Sequence, residues 1–200
     1  MMAAAFILTS CNDDEDPGSG STPTPVTPTP DNSFYIKFTK GGTNYNYSTS
    51  GDSWYTATGL GGSIGDPISC RSYDCSIYHD DGDLDGISPT IAFNYNCVAN
   101  SDWDTQAFFD IFQEMTYDYS TDENDQGAGF SLYDYELDEG ARSWEIAQPG
   151  TSSFIVTDVT ETTPTPFGNP YVIVKGTFNC KVSDGSVITN GSFRVIIEKL

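Results

Sequence analysis

Over residues 171–182 apolar and polar side chains alternate without a break, and Val172, Val174, Gly176, Phe178, Cys180 and Val182 all fall on one side. A period of two is a strand pressing one face against a core. Ser183-Asp184-Gly185 then offers turn chemistry, and Phe193, Val195 and Ile197 resume the alternation, so the segment predicts a long antiparallel hairpin. Such a one-sided apolar hairpin has to be covered by a second layer, which sets a predominantly β domain as the expectation for the rest.

Residues upstream fit that expectation. Phe34-Tyr35-Ile36-Lys37-Phe38 alternates, Lys40-Gly41-Gly42-Thr43-Asn44 turns, and Tyr45 and Tyr47 begin a return strand. Further β-prone runs lie at 54–58, 68–78, 90–97, 115–119, 129–137, 143–147 and 152–159, separated by polar or Gly-containing turns. One stretch has a different period. Trp103, Ala107, Phe108, Ile111, Phe112 and Met115 share a helical face, which predicts an amphipathic helix over about 102–115, capped by Ser101 or Asp102, with its aromatic stripe turned to the sheet. The expected architecture is an antiparallel two-layer β-sandwich over residues 33–200 with that one helix; a closed β-barrel is the competing arrangement.

Ahead of the domain, Leu8-Thr9-Ser10-Cys11 closes a short apolar run and Asn12-Asp13-Asp14-Glu15-Asp16 follows it at once. Crossing a bilayer takes about 20 apolar residues, so residues 1–11 read as a cleavable export signal ending in a lipoprotein processing site. Cys11 is then the mature N-terminus, acylated on its thiol and its amine, which provides the two chains that stable anchoring needs. No Lys or Arg precedes the apolar run, and a start codon further upstream is the expected repair. Residues 12–32, acidic and then rich in Pro and Thr, have almost nothing to bury and predict a disordered, semi-rigid tether. The formal net charge of -21, with 8 Lys plus Arg and none between Arg71 and Arg142, excludes nucleic acid and anionic lipid as electrostatic partners.

The processing site with its acidic tail resembles the export signal of surface-exposed Bacteroidota lipoproteins. The second half resembles the same group, through Trp103-Asp104 with Phe108 to Phe112, Gly129-Phe130-Ser131-Leu132-Tyr133 with Ser143-Trp144, Gln148-Pro149-Gly150-Thr151-Ser152-Ser153-Phe154-Ile155-Val156, and Lys175-Gly176-Thr177-Phe178-Asn179-Cys180 with Ile188-Thr189-Asn190-Gly191-Ser192-Phe193-Arg194. Over residues 103–200 the chain is thus similar to a family of Bacteroidota lipoproteins built from lipobox, Pro/Thr tether and one β-rich domain of unknown function. The resemblance implies a lipid-anchored protein of the outer membrane, displayed at the cell surface, and brings no activity with it. Gly176 and Gly191 are expected where a strand bends or a turn needs positive φ.

Beyond Cys11 the cysteines are Cys70, Cys75, Cys97 and Cys180, an even set that in an exported chain allows up to two disulfides, with free buried thiols as the alternative. Asp81, Asp83 and Asp85 before Gly86 reproduce the opening of a calcium loop, alternate carboxylates converging on one hard cation. Ala92 stands where the bidentate Glu belongs, so a further ligand would come from Asp80, Asp102 or Asp104, and a weak site suited to millimolar calcium is expected. The plainer reading is a solvated hairpin loop. Residues 122–127 read as an acidic turn. His79 is the one histidine, no G-x-S-x-G occurs, and Glu136-Leu137-Asp138-Glu139 lacks the spacing of sandwich glycosidases because Ala141 replaces the last Glu. Twelve Tyr, twelve Phe and three Trp leave aromatic rings over for a sugar-stacking face, for which Trp54, Tyr55 and Tyr78 are the candidates beside the calcium-like loop. The favoured expectation is a non-catalytic binding or structural module, calcium-stabilised, with a surface protein or glycan as partner. Glycan capture and a small hydrolase using Glu136 and Asp138 are the alternatives.

Overall fold

The computed structural model describes residues 33–50, 54–64, 67–79, 86–99, 103–120, 126–135, 137–163 and 168–200. Cys11, the tether, Asp80, Asp81, Asp83, Asp85, Ser101, Asp102, Glu136 and the acidic turn at 122–125 lie outside the described residues.

Eleven strands alternate along the described chain: β1 Tyr35–Lys40, β2 Thr43–Ser48, β3 Trp54–Ile64, β4 Ile68–His79, β5 Ile87–Ala99, β6 Thr116–Tyr117, β7 Gly127–Asp134, β8 Glu139–Arg142, β9 Ser153–Thr162, β10 Tyr171–Lys181 and β11 Val187–Glu198. They form a six-stranded sheet in the order β2-β1-β11-β10-β9-β6 and a five-stranded sheet in the order β3-β4-β5-β7-β8. Their pairings are antiparallel. The two sheets pack as a sandwich and do not close into a barrel. Phe130 of β7 stacks on Phe178 of β10 with ring centroids 4.7 Å apart, and Phe93 of β5 meets Phe154 of β9 edge-on at 5.8 Å.

The β10–β11 hairpin is as the alternation predicts, with Val172, Val174, Gly176, Phe178, Cys180 and Val182 all buried. Its two glycines lie at irregularities of the strands, as one half of the expectation had it, with register shifts between Lys175 and Gly176 and between Phe178 and Cys180, but not at turns. Neither has positive φ; Gly176 is paired with Phe193 and Gly191 with Phe178 across the two strands, and each phenyl ring folds over the facing glycine. A Cβ on Gly176 would lie 2.5 Å from Phe193 Cζ and 2.3 Å from the Ile155 carbonyl oxygen. At the first hairpin, Gly41 and Gly42 both have positive φ, 58° and 83°, the backbone that a two-residue turn between twisted strands requires.

The helix is much shorter than 102–115. It spans Thr105–Phe109, capped by Asp104, whose carboxylate accepts the Ala107 N–H at 2.9 Å. Ile111 N–H and Phe112 N–H then donate three residues back, to Phe108 and Phe109 carbonyls, so the chain tightens into a 3₁₀-like turn and leaves the α-helix. The Tyr117 hydroxyl donates to the Ile111 carbonyl and accepts the Gln113 N–H, which satisfies that end. Ala107, Phe108, Ile111 and Phe112 are buried as expected, because the apolar pattern reports burial; Met115 is exposed, because no helical turn carries it round to the core. The Phe108 ring lies edge-on to Tyr73 at 5.1 Å and the Phe112 ring to Phe93 at 5.1 Å, so this segment plugs the sandwich.

Two expected strands also differ. Residues 115–119 contribute only the two-residue β6, and 143–147 are not a strand: β8 lies before them and Ser143–Glu145 is a 3₁₀ turn. Ser143 supplies the reason. Its hydroxyl accepts the Phe130 N–H at 2.9 Å, replacing the next ladder bond with a side-chain bond and releasing the backbone to turn. Gln148 holds the turn against β10, donating to the Lys181 carbonyl at 2.8 Å and accepting the Lys181 N–H at 2.9 Å.

Of the four domain cysteines, Cys70 and Cys97 are bridged directly across β4 and β5, while Cys75 and Cys180 are buried free thiols. A second bridge is ruled out by distance. Cys75 lies against the backbone of Ile196 and Cys180 is paired with Ile188, and the eight residues from 188 to 196 on β11 span about 26 Å. Burial pushes both thiols up to about 12.

Tyr73 is fully buried and its hydroxyl proton has no acceptor. Burial raises its pKa, and the Arg71 guanidinium, which can donate to the oxygen but cannot accept the hydroxyl proton, works against that rise. Removing an unsatisfied buried hydroxyl relieves a desolvation penalty. Tyr73→Phe is therefore expected to stabilise the domain by about 1 kcal/mol in urea melts; a loss of stability of that size would show a bonded hydroxyl.

Candidate functional site

Strand alternation builds the site. Tyr73, Cys75 and Ile77 of β4 point into the core, so Asp74, Ser76 and Tyr78 stand on the outer face of the five-stranded sheet. Register extends that face across the neighbouring strands. Ser76 is opposite Thr90, Thr90 opposite Ser131 and Ser131 opposite Arg142, a row of three hydroxyls ending in a guanidinium. The next row runs Gly59, Asp74, Ala92 and Gly129. Because three members of that second row are glycine or alanine, the sheet is bare there, and a groove of about 410 Å3 opens over it.

Two side chains are held in place by glycines that leave them room. The half-buried Trp144 ring lies over Gly129, whose Cβ would come within 2.4 Å of it. Likewise the Asp74 carboxylate lies over Gly59, where a Cβ would come within 2.5 Å. Burial raises the Asp74 pKa, and the Gly59 N–H, bonded to the carboxylate, offsets part of that rise. The remaining wall is Tyr133 and Arg142. Tyr133 donates its hydroxyl to Asp138, which sits in the left-handed region at φ 52°, and that bond, with Asp138 beside it, raises the phenol pKa. Arg142 is paired with Glu145 at 2.9 Å. The Ser76 and Thr90 hydroxyls bond to one another at 2.7 Å.

A buried carboxylate whose folded-state pKa is raised favours folding only while it is protonated. Its unfolded counterpart ionises near pH 4, so above that pH the folded state carries a growing penalty, complete once pH passes the folded pKa. Asp74→Asn is expected to melt above the native protein at pH 7, with the difference closing below about pH 4. Melting curves at the two pH values check this, and an Asn variant less stable at pH 7 would contradict it.

The residues singled out from sequence are scattered over this frame. Tyr55 and Tyr78 are opposite one another on the groove's side of the sheet, ring centroids 6.0 Å apart, but outside the groove lining. Trp54 departs from them. It faces inward, packing edge-on against Tyr47 at 5.6 Å and against the core, so it cannot share a stacking platform with Tyr55. Asp104 is occupied as the helix cap. Among the described residues no three His, Cys, Asp or Glu side chains converge on a common point, and the calcium-like carboxylates Asp81, Asp83 and Asp85 fall outside them, between the end of β4 and the start of β5. Asp138 serves Tyr133, and Asp74 is the one carboxylate among the described groove lining, so the two-carboxylate arrangement of a glycosidase is not assembled there. Asp74, Tyr133, Arg142 and Trp144 escaped sequence reasoning. The alternation through 72–78 places Asp74 outside the core, but only register, running across β5, brings it into one groove with residues of β7 and β8. Compared with protein-family models, curated proteins and solved structures, the chain matches none.

Proposed function

We propose that the protein is a lipid-anchored surface lipoprotein whose sandwich domain is a non-catalytic binding module, with its ligand seated in the groove on the outer face of the five-stranded sheet. The observation that carries this reading is the pairing of a glycine-seated tryptophan with a half-buried carboxylate, both at the mouth of an otherwise bare stretch of sheet. A groove of about 410 Å3 with a few convergent polar groups falls in the size range of small-ligand sites. Cys11 with its acidic tail supports the anchor, and the resemblance to Bacteroidota lipoproteins supports the outer membrane and the cell surface as the place where the module works.

The test has two arms. Full-length protein is melted against a library of sugars, short peptides, nucleosides and quaternary amines, beside Trp144→Ala. The reading requires at least one class to raise the native midpoint without raising that of the variant; a library in which no class does so removes it. In cells, Cys11→Ala is expected to leave the membrane fraction, and its retention there would remove the anchor. Calcium is a separate proposal for the segment joining β4 to β5, where Asp81, Asp83 and Asp85 alternate. A midpoint unmoved between millimolar calcium and chelator ends it.

A further inference from the structure

We infer that the groove takes a neutral oligosaccharide, one sugar ring stacked on Trp144 and its hydroxyls shared between Asp74 and the Ser76, Thr90 and Ser131 row. This deepens the reading of the groove as a binding site and rests on it.

The lining selects the ligand class. A serine or threonine hydroxyl both donates and accepts, so a row of three complements a ligand whose own groups do both. Sugar hydroxyls have that character. An anionic ligand needs donors and positive charge, but the one guanidinium here is already paired with Glu145, and the chain carries a formal charge of -21. A peptide seeks unpaired backbone at a sheet edge. The groove instead lies mainly over β4, β5 and β7, each paired on both sides. The edge strand β8 adds Gly140 and Arg142, and the Arg142 backbone N–H and carbonyl are already bonded to Ser183, so recognition there is chiefly through side chains. A metal would need several oxygen ligands, and among the described lining residues there is one carboxylate.

The two anchors are prearranged for a sugar. Trp144 is seated against a bare glycine and lines the groove, so its half-exposed indole is an apolar surface for the C–H face of a pyranose with little ordering left to do. Asp74, seated over Gly59 and held by its N–H, keeps acceptor capacity for hydroxyls, and bonds to an ionised carboxylate are about twice as strong as neutral ones. The open form of the groove and its volume suit an internal, disaccharide-sized portion of a longer chain rather than an enclosed monosaccharide.

The experiment is calorimetric titration of the purified full-length chain with hexasaccharides of the cello, xylo, manno, galacto and malto series, beside sulfated and sialylated oligosaccharides. Trp144→Ala, Asp74→Ala and, as a distant control, Val187→Ser run in parallel, with melting curves to show that each is folded. The expected result is binding to at least one neutral series, weakened tenfold or more by Trp144→Ala and by Asp74→Ala and unchanged by Val187→Ser. Binding confined to the anionic sugars, yet lost in Trp144→Ala, overturns the neutral class while sparing the groove. Neutral-sugar binding indifferent to both groove substitutions overturns the groove as well. If no oligosaccharide binds at 10 mM, the saccharide inference falls, and the broader library decides the groove by itself.

Discussion

Gly176→Ala is expected to lose about 3 kcal/mol of stability, the upper end of the range for an overfilled core, which corresponds to a fall in midpoint of about 10 °C for a domain of this size. The new methyl group would meet two neighbours at once. Phe193 Cζ at 2.5 Å belongs to a ring that could rotate or shift, but the Ile155 carbonyl oxygen at 2.3 Å is backbone of the adjacent strand β9. The register of β9 and β10 steps between Lys175 and Gly176, and at that step the Ile155 carbonyl occupies the place the methyl would take. Shrinking the ring therefore should not rescue the variant: Gly176→Ala with Phe193→Leu is expected to be no more stable than Gly176→Ala alone. Urea melts of the two singles and the double settle it. A Gly176→Ala protein within about 0.5 kcal/mol of native, or full rescue by the double, would mean that the sheet yields and that the glycine is dispensable.

The same pair of strands shows how far sequence carries and where it stops. Period-two alternation identified the inner face of β10 and of the last part of β11, because a strand has only two faces and one of them must be apolar, but it missed the buried Ile188, which the register shift puts out of phase with Phe193, Val195 and Ile197. It could not say why Gly176 and Gly191 interrupt that face, since the answer, a phenyl ring lying on each glycine, belongs to the partner strand. The helical segment fails in a complementary way. Phe108, Ile111 and Phe112 are core residues in a helix or in a 3₁₀ turn alike, so the pattern gave the right burial and the wrong helix length. For the groove, the chain supplies Asp74, Ser131 and Arg142 at intervals of eleven to fifty-seven residues, and nothing in those intervals reveals that register sets them in adjacent rows. Aromatic content raised the idea of a stacking face and led to Trp54, which hydrophobic burial takes into the interior. Trp144 was left on the surface because Ser143 ends the strand one residue earlier.

Loss of the Cys70–Cys97 bridge is expected to lower stability by about 3.5 kcal/mol, the loop-closure contribution for a sequence separation of 27. The Cys70→Ser/Cys97→Ser variant should then melt about 10 °C below native, and reductant should lower the native protein to the same point while leaving the variant unmoved. Reductant-independent melting would place the stabilisation elsewhere. The bridge also bears on where the protein resides, because a disulfide of this kind persists in an oxidising compartment and not in a reducing cytoplasm. Thiol counting joins the two questions. Cys75 and Cys180 are buried, with pKa pushed up to about 12, and neither should react with an alkylating agent until the fold is lost. In guanidinium without reductant, protein recovered from cells should therefore take up two alkyl groups, and with reductant four, if Cys11 carries the proposed acyl chain and has no thiol to offer. Three and five would mean that Cys11 is unmodified, and the anchor would fail with the bridge intact. Four without reductant would mean that the bridge never forms, and the proposed export to an oxidising compartment would lose the argument drawn from the disulfide, even with Cys11 acylated.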